Sequence, residues 1–264
     1  MSRVIPGILM AGGWLFLLFW GPVHLFWAVI VSGACLALHE FFRMAMASLH
    51  GWRLYATISF CLFPVLAAFF GQSDAVLAGV IASLLVMVAV ALHGYGVIDD
   101  VLKYTSCSGF ACVYISLCLA HIALIRFLPQ GAFWLTMLVG IVAGSDTGAY
   151  YAGRAFGQRK LFPQISPKKT VAGGIGGVVA GVAAAEGINL FFPAQADPLI
   201  LFIVAILLVT IGIAGDLTES MIKRSVGVKD SGTILFGHGG LLDRIDSLLL
   251  TGPVLYYLLR FGIL

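Results

Sequence analysis

Charged side chains are scarce in this sequence: Asp, Glu, Lys and Arg make up 10% of the 264 residues, whereas 61% are hydrophobic. A typical soluble domain is about 25% charged and about 45–50% apolar. So little polar surface could not cover a water-facing exterior, which excludes a soluble globular enzyme. The hydrophobic excess also excludes a disordered chain. The composition therefore predicts a single integral membrane domain over residues 1–264.

Paired cysteines and the usual nucleotide or nucleophile motifs are also missing. The five cysteines are odd in number and include no Cys-x-x-Cys pair, so neither a disulfide framework nor a zinc site is indicated. The sequence has no Walker A motif and no Ser-His-Asp or Cys-His arrangement. Gly173, Gly177 and Gly181 are a poor dinucleotide fingerprint. Their spacing of four predicts a close helix-packing face instead.

What the sequence does contain is a series of long apolar stretches. Nine of them predict an all-α, polytopic transmembrane helical bundle of about nine spans. We interpret the first as a transmembrane helix and not as a signal peptide, because no convincing cleavage site follows it. The stretches cover residues 4–20, 23–47, 53–71, 74–93, 101–128, 131–154, 170–192, 197–215 and 247–263.

The distribution of basic residues predicts the orientation of this bundle. With a cytoplasmic amino terminus and nine spans, 13 of the 15 Lys and Arg residues fall on the cytoplasmic side. Only Arg126 and Arg260 fall outside. The positive-inside rule therefore favours a cytoplasmic amino terminus and an external carboxyl terminus.

Polar residues concentrate in two segments on that side, residues 144–174 and 215–247. Simple solvation of loops is the plain explanation. Several of these charges, however, lie on or beside the apolar helices, where a charge costs on the order of 2.5–3.5 kcal/mol on insertion scales. We therefore expect them to face a cavity that uses them.

The second segment carries acids and bases at helical spacing. Asp216, Ser220, Lys223 and Arg224 share one face if the segment is helical. A carboxylate beside cations suits a metal–phosphate ligand. Asp243 and Asp246 are three residues apart and also share a face, which suits a divalent cation. We therefore predict that three carboxylates converge on Mg²⁺: Asp216, Asp243 and Asp246.

The first segment repeats this pattern at the end of the sixth predicted span. Asp146, Tyr150 and Arg154 recur every four residues, and Ser166-Pro-Lys-Lys-Thr170 leads into the next helix. Thr170 is a suitable N-cap, and helix amino termini attract anions.

Residues 144–250 resemble the signature segments of bacterial phosphatidate cytidylyltransferases, or CDP-diacylglycerol synthases. The resemblance rests on Gly215-Asp-Leu-Thr-Glu-Ser-Met-Ile-Lys-Arg, Lys229-Asp230, His238-Gly-Gly and Asp243-Arg-Ile-Asp246, with Asp146-Thr-Gly-Ala-Tyr150 and Ser166-Pro-Lys-Lys-Thr170 upstream.

The resemblance implies transfer of the cytidylyl group of CTP to phosphatidate with Mg²⁺, for phospholipid biosynthesis at the bacterial inner membrane, with the active site facing the cytoplasm. A second cation and a homodimer are further implications, with membrane lipids but no nucleic acid as partners. The expected catalytic residues are Asp216, Ser220, Lys223, Arg224, Asp243 and Asp246. The expected substrate-binding residues are Asp146, Tyr150, Ser166, Lys168, Thr170, Lys229, Asp230, His238, Gly239, Gly240 and Arg244.

Two alternatives remain at this stage. A CTP-dependent kinase or cytidylyltransferase acting on another membrane lipid would share the membrane setting. A transporter is less favoured, because no internal repeat is evident and both charged segments lie on one side.

Overall fold

Helices form most of this protein. The computed structural model describes residues 4–192, 196–232 and 239–264. The helices in this part of the chain are α1 Val4–Phe19, α2 Val23–Ala45, α3 Gly51–Cys61, α4 Phe63–Ala67, α5 Ser73–His93, α6 Val101–Ala111, α7 Cys118–Phe127, α8 Gly131–Phe156, α9 Val171–Phe191, α10 Pro198–Ser225 and α11 Leu242–Arg260. A 3₁₀ turn, Ala68–Phe70, follows α4, and a π-helical turn, Cys112–Leu117, joins α6 to α7.

Seven helical segments of the described chain are long and apolar enough to cross a membrane: Val23–Ala45, Gly51–Phe70, Ser73–His93, Val101–Phe127, Gly131–Phe156, Val171–Phe191 and Pro198–Ser225. The protein is therefore a polytopic helical membrane protein. Helix α1 is shorter, at 16 residues, and α11 begins with charged residues. Each of the nine apolar stretches in the sequence corresponds to helical structure.

Helix α10 extends beyond its apolar stretch and ends at Ser225 instead of residue 215. Asp197 caps its start by accepting hydrogen bonds from the amides of Leu199 and Ile200. The charged residues 216–224 therefore continue the same helix, as their spacing predicts.

A small antiparallel hairpin departs from the all-α prediction. Strand β1, Lys160–Phe162, pairs with β2, Ser166–Thr170, between α8 and α9. Three to five residues rich in Pro and Lys give no strand periodicity that sequence analysis could detect. The hairpin matters because β2 carries the lysines of the Ser-Pro-Lys-Lys-Thr block.

Helix α7 lies at the centre of the fold. Every residue from Cys118 to Ile125 is buried, and α7 contacts α2, α4, α8 and α11. Helix association inside a membrane depends on close packing, since lipid tails are as apolar as the side chains. The core is correspondingly built around this helix.

Close packing is tightest between α8 and α9, as the glycine spacing predicts. A Cβ at Gly177 would lie 3.1 Å from the carbonyl oxygen of Ser145. A Cβ at Gly148 would lie 2.5 Å from the carbonyl oxygen of Gly176. The glycine stripe is thus a helix-packing face, and the prediction is confirmed.

Candidate active site

A pocket lined by apolar and charged residues lies where one end of α8 meets β2, the start of α9, α10 and the second turn of α11. Its volume is about 420 Å³, within the range of about 300–1,000 Å³ typical of ligand pockets. Its polar lining residues are Ser145, Asp146, Tyr150, Arg154, Lys168, Lys169, Thr170, Asp216 and Ser247. The two polar segments of the sequence therefore meet at one place.

Carboxylates from three helices gather at this pocket. Asp146 of α8 and Asp216 of α10 line it. Asp246 of α11 is close enough for its charge to act on both. Gly215 makes this approach possible, because a Cβ there would lie 2.6 Å from the backbone oxygen of Asp246. Ser220 donates a 3.3 Å hydrogen bond to Asp216, which confirms the predicted shared helical face.

Basic groups face these acids from the hairpin and from α8. The Nζ of Lys169 lies 2.5 Å from Oδ2 of Asp216, with both side chains partly exposed. Lys168 is exposed at the pocket. Arg154 donates a 3.5 Å hydrogen bond to the hydroxyl of Tyr150. The pocket therefore combines acids that can hold a cation with bases that can hold phosphate.

The start of α9 adds backbone donors to the same pocket. Thr170 caps the helix, since its hydroxyl accepts a 3.1 Å hydrogen bond from the amide of Gly173, so the predicted N-cap is confirmed. Gly173 and Gly174 line the pocket. A capped helix start presents further amide groups and the positive end of the helix dipole to an anion.

The acidic residues at this pocket suit an Mg²⁺ ion that is held partly by substrate, and not a metal site made by protein side chains alone. Within the residues that the structure describes, no three His, Cys, Asp or Glu side chains form a group that could hold a metal ion. Mg²⁺ usually binds one or two carboxylates together with substrate phosphates and water. Asp216 and Asp246 can supply such ligands. The ammonium of Lys169 on Asp216 shows that this corner accommodates a cation.

Asp243 belongs to a different cluster, although it lies one turn from Asp246. One of its oxygens lies 2.5 Å from Nζ of Lys223, which also forms a salt bridge with Glu219. The other oxygen accepts hydrogen bonds from the amide and hydroxyl of Ser231 (3.1 and 2.9 Å) and from the amide of Gly240 (2.8 Å). The structure thus divides the three predicted metal-binding aspartates between two clusters.

Lys223 and Arg224 are likewise not brought to the pocket as the sequence analysis expected. Lys223 is buried between two carboxylates. Arg224 is exposed and donates hydrogen bonds to the carbonyl oxygens of Ile165 (3.5 Å) and Val228 (3.1 Å). It therefore ties the hairpin turn to the end of α10. Helical periodicity placed both residues on the correct element but could not show which way each long side chain turns.

The remaining predicted substrate-binding residues are distributed around the two clusters. Ser166 is half-buried at the start of β2, while Lys229, Asp230 and Arg244 are exposed. Gly239 has a positive φ of 79° beside Asp243. His238 lies outside the described residues, so its predicted role stays a prediction.

Sequence reasoning missed several polar residues at these clusters. Lys169 was passed over in favour of Lys168. Tyr114 of the π-helical turn donates a 3.4 Å hydrogen bond to the carbonyl of Gly215, and such turns occur often at functional sites. Glu219 is fully buried. Glu40 of α2 is also buried, and a lone acid inside an apolar stretch is a signal that could have found it.

Apolar spanning helices and a pocket that combines acids, bases and a capped helix start fit a membrane protein that binds anionic ligands. The chain belongs to the cytidylyltransferase family, whose model matches residues 1–262.

Several similar proteins are named for one reaction within this family, and another is uncharacterized. The phosphatidate cytidylyltransferase of Bacillus subtilis (strain 168) is 36% identical over 265 residues, covering 98% of this chain and 97% of the relative. The phosphatidate cytidylyltransferase of Haemophilus influenzae is 42% identical over 139 residues, which is 50% of this chain and 47% of the relative. The uncharacterized protein YnbB of Escherichia coli (strain K12) is 40% identical over 149 residues, 54% of this chain and 49% of the relative.

Proposed function

We propose that this protein transfers the cytidylyl group of CTP to phosphatidate, giving CDP-diacylglycerol and pyrophosphate. The observation that carries the proposal is the pocket in which Asp146 and Asp216 face Lys168 and Lys169 among membrane-spanning helices. The full-length similarity to a phosphatidate cytidylyltransferase supports the choice of substrates. A lipid substrate also explains why the site is built into a membrane protein.

The reaction requires positioning and charge neutralisation more than proton transfer. A phosphatidate oxygen forms a bond to the α-phosphorus of CTP, and the bond between that phosphorus and the bridging oxygen to the β-phosphorus breaks as pyrophosphate leaves. The second pKa of a phosphate monoester is about 6, so the acceptor is largely dianionic at neutral pH. A general base is unnecessary, which agrees with a pocket lined by acids, bases and backbone amides.

We assign separate tasks to the acids and the bases of the pocket. Asp216 and Asp246 would hold Mg²⁺, with Asp146 beside them, and the ion would neutralise charge on the departing pyrophosphate. Lys168 and Lys169 would bind phosphate oxygens from the hairpin side. The capped start of α9 would donate backbone hydrogen bonds to the same anions.

In this proposal Asp243, Lys223 and Arg224 support the site and do not touch the reacting atoms. Both oxygens of Asp243 already have donors. Lys223 forms ion pairs with Glu219, which is buried, and with Asp243. The Lys223–Asp243 ion pair joins α10 to α11, and Arg224 holds the turn of the hairpin whose second strand carries the pocket lysines.

The pocket would face the cytoplasm of the cell that makes the protein, in a bacterial inner membrane. The basis is the positive-inside rule applied to nine spans, α1 and α11 included, with the amino terminus inside and the carboxyl terminus outside. Both polar segments then lie on the side where CTP is available.

The direct test is turnover by the purified protein in detergent or vesicles. With CTP, Mg²⁺ and phosphatidate, we expect CDP-diacylglycerol and pyrophosphate in equal amounts. Diacylglycerol and a polyprenol, each replacing phosphatidate, serve as acceptor controls. Product from either control but none from phosphatidate would overturn the proposal.

A further inference from the structure

Glu40 is an acid in the middle of the protein whose burial needs an explanation. It lies on α2, in the apolar stretch over residues 23–47, and only 2% of its surface is exposed. An uncompensated carboxylate in such a place is costly, so buried acids are paired or hydrogen-bonded. The partners of Glu40 are therefore informative about its role.

Within the described residues, the hydrogen-bond partners of Glu40 are Ser231 and the two residues at the start of α11. Oε1 accepts a 3.0 Å hydrogen bond from the amide of Leu241, and Oε2 accepts a 2.9 Å bond from the amide of Leu242. The hydroxyl of Ser231 donates a longer bond of 3.4 Å to Oε2. A residue some 200 positions earlier in the chain thus binds the first turn of α11.

The local sequence explains why this help comes from another helix. The first amides of a helix have no intrahelical acceptor and usually receive one from Ser, Thr, Asp or Asn at the N-cap. Leu241 occupies that position and provides no side-chain cap. Glu40 supplies the acceptor instead, and the positive end of the α11 dipole offsets its charge.

Two glycines make room for this carboxylate. A Cβ at Gly232 would lie 2.7 Å from Oε1 of Glu40, and a Cβ at Gly240 would lie 2.6 Å from Oε2. Backbone on both sides of residues 233–238 therefore closes around Glu40. The site is formed for this side chain and is more specific than a general polar contact.

We infer that Glu40 is a positioning residue for the candidate active site, acting through α11 on Asp246. The first turn of α11 leads directly into Asp246, whose backbone packs against Gly215 next to Asp216. The adjacent Ser247 lines the pocket. By holding the amides of Leu241 and Leu242, Glu40 sets the position of that turn. It thereby sets the spacing of the two carboxylates proposed to hold Mg²⁺.

The inference rests on the proposed function for its kinetic test, so a second test is independent of turnover. In the first, the Mg²⁺ concentration for half-maximal rate is measured at saturating CTP and phosphatidate. In the second, Mn²⁺ binding in the presence of CTP and the absence of lipid is measured by electron paramagnetic resonance. If the wild type makes no CDP-diacylglycerol, the proposed function fails and Mn²⁺ binding still decides the role of Glu40.

The first variant is Glu40→Gln, which keeps the shape of the side chain but turns an NH₂ group toward a backbone amide. We expect the half-saturating Mg²⁺ concentration and the Mn²⁺ dissociation constant to rise about 10- to 100-fold, as for other residues that orient metal ligands. The KM for phosphatidate should stay close to the wild-type value. Glu186→Gln, in α9 and away from the pocket, is the matched control.

A second variant disturbs the same contact and can be measured if Glu40→Gln does not fold. Gly232→Ala alters no polar group but places a methyl group against the Glu40 carboxylate, so we expect the same direction of change. Gly187→Ala, whose Cβ would meet nothing within 4 Å, is its control.

The two outcomes are distinct. Weakened metal dependence in folded Glu40→Gln or Gly232→Ala protein, with both controls unchanged, supports the inference. Wild-type metal dependence and Mn²⁺ affinity in these variants would overturn it. A loss of turnover that only follows the loss of folded protein, with metal dependence unchanged, would also overturn it.

Discussion

Asp243 and Asp246, one helical turn apart, have opposite electrostatic surroundings. Asp246 lies near Asp146 and Asp216, where Lys169 compensates only part of the acidic charge. Asp243 instead has Lys223 and two backbone amides as partners. The first arrangement suits a ligand, and the second suits a structural anchor.

This difference predicts opposite stability changes for two otherwise similar variants. Asp246→Asn should abolish turnover, yet leave the metal-free melting temperature unchanged or raised, because it removes a repelling charge. Asp243→Asn should lower the free energy of unfolding by about 3 kcal/mol, because it leaves buried Lys223 with weaker compensation. Thermal unfolding in detergent without divalent cations, combined with activity assays, separates the two. Equal destabilisation by both variants would contradict the assignment.

The adjacent lysines of β2 also differ in their surroundings. Lys168 is exposed at the pocket, whereas Lys169 forms an ion pair with Asp216. Lys168→Ala should mainly raise the KM for one substrate. Lys169→Ala should lower turnover and, because a competing cation leaves Asp216, tighten Mn²⁺ binding in the absence of CTP. Steady-state kinetics with each substrate varied, together with Mn²⁺ titration, checks both expectations. Weaker Mn²⁺ binding in Lys169→Ala would show that the lysine does not compete with the metal.

At the level of elements, the hairpin β1–β2 presents both lysines to the pocket, and Arg224 links its turn to α10. The guanidinium reaches the carbonyls of Ile165 and Val228 through two different nitrogens. A lysine has one point-like ammonium and cannot reproduce this geometry. Arg224 therefore acts on the hairpin and through it on the pocket.

Arg224→Lys should accordingly lower turnover and loosen the hairpin. We expect faster hydrogen exchange of the backbone amides in residues 160–170, with exchange in α7 unchanged. Mass spectrometry of the deuterated protein measures both regions in one experiment. Reduced turnover with wild-type exchange in the hairpin would instead favour direct contact between Arg224 and substrate, as the sequence analysis assumed.

The elements differ in how far sequence could predict them. Apolar length and helical spacing were sufficient for the helices, including the glycine face of α9 and the Thr170 cap. The hairpin was missed because its strands are short. The separation of Asp243 from Asp246 was also missed, because periodicity shows that two residues share a helical face but not what lies opposite each of them.

For the whole molecule, the topology in the membrane stays a prediction from the distribution of basic residues in the sequence. Nine spans with an internal amino terminus require an external carboxyl terminus. Alkaline phosphatase fused after Leu264 should therefore be active in bacterial cells, and green fluorescent protein fused there should be dark. The reverse pattern would exclude nine spans with this orientation. The predicted homodimer stays a prediction as well.

The candidate site as a whole was predictable in its chemistry but not in its division of roles. The signature segments in residues 144–250 brought Asp146, Asp216 and Lys168 to one pocket, whereas Asp243 and Lys223 belong to a second cluster. The contributions of Glu40 and Tyr114 depend on contacts between distant helices, over 100 residues apart in sequence. Such contacts have no local pattern, so only the assembled bundle shows them.

The most direct test of cytidylyl transfer to a lipid follows the phosphorus atoms of CTP. Purified protein is incubated with phosphatidate, Mg²⁺ and CTP labelled with ³²P at either the α or the γ position, with Asp246→Asn as the inactive control. Cytidylyl transfer predicts that α-label enters the lipid and γ-label leaves in pyrophosphate. Appearance of γ-label in the lipid, with α-label remaining in a soluble nucleotide, would show a CTP-dependent kinase and contradict the proposed reaction.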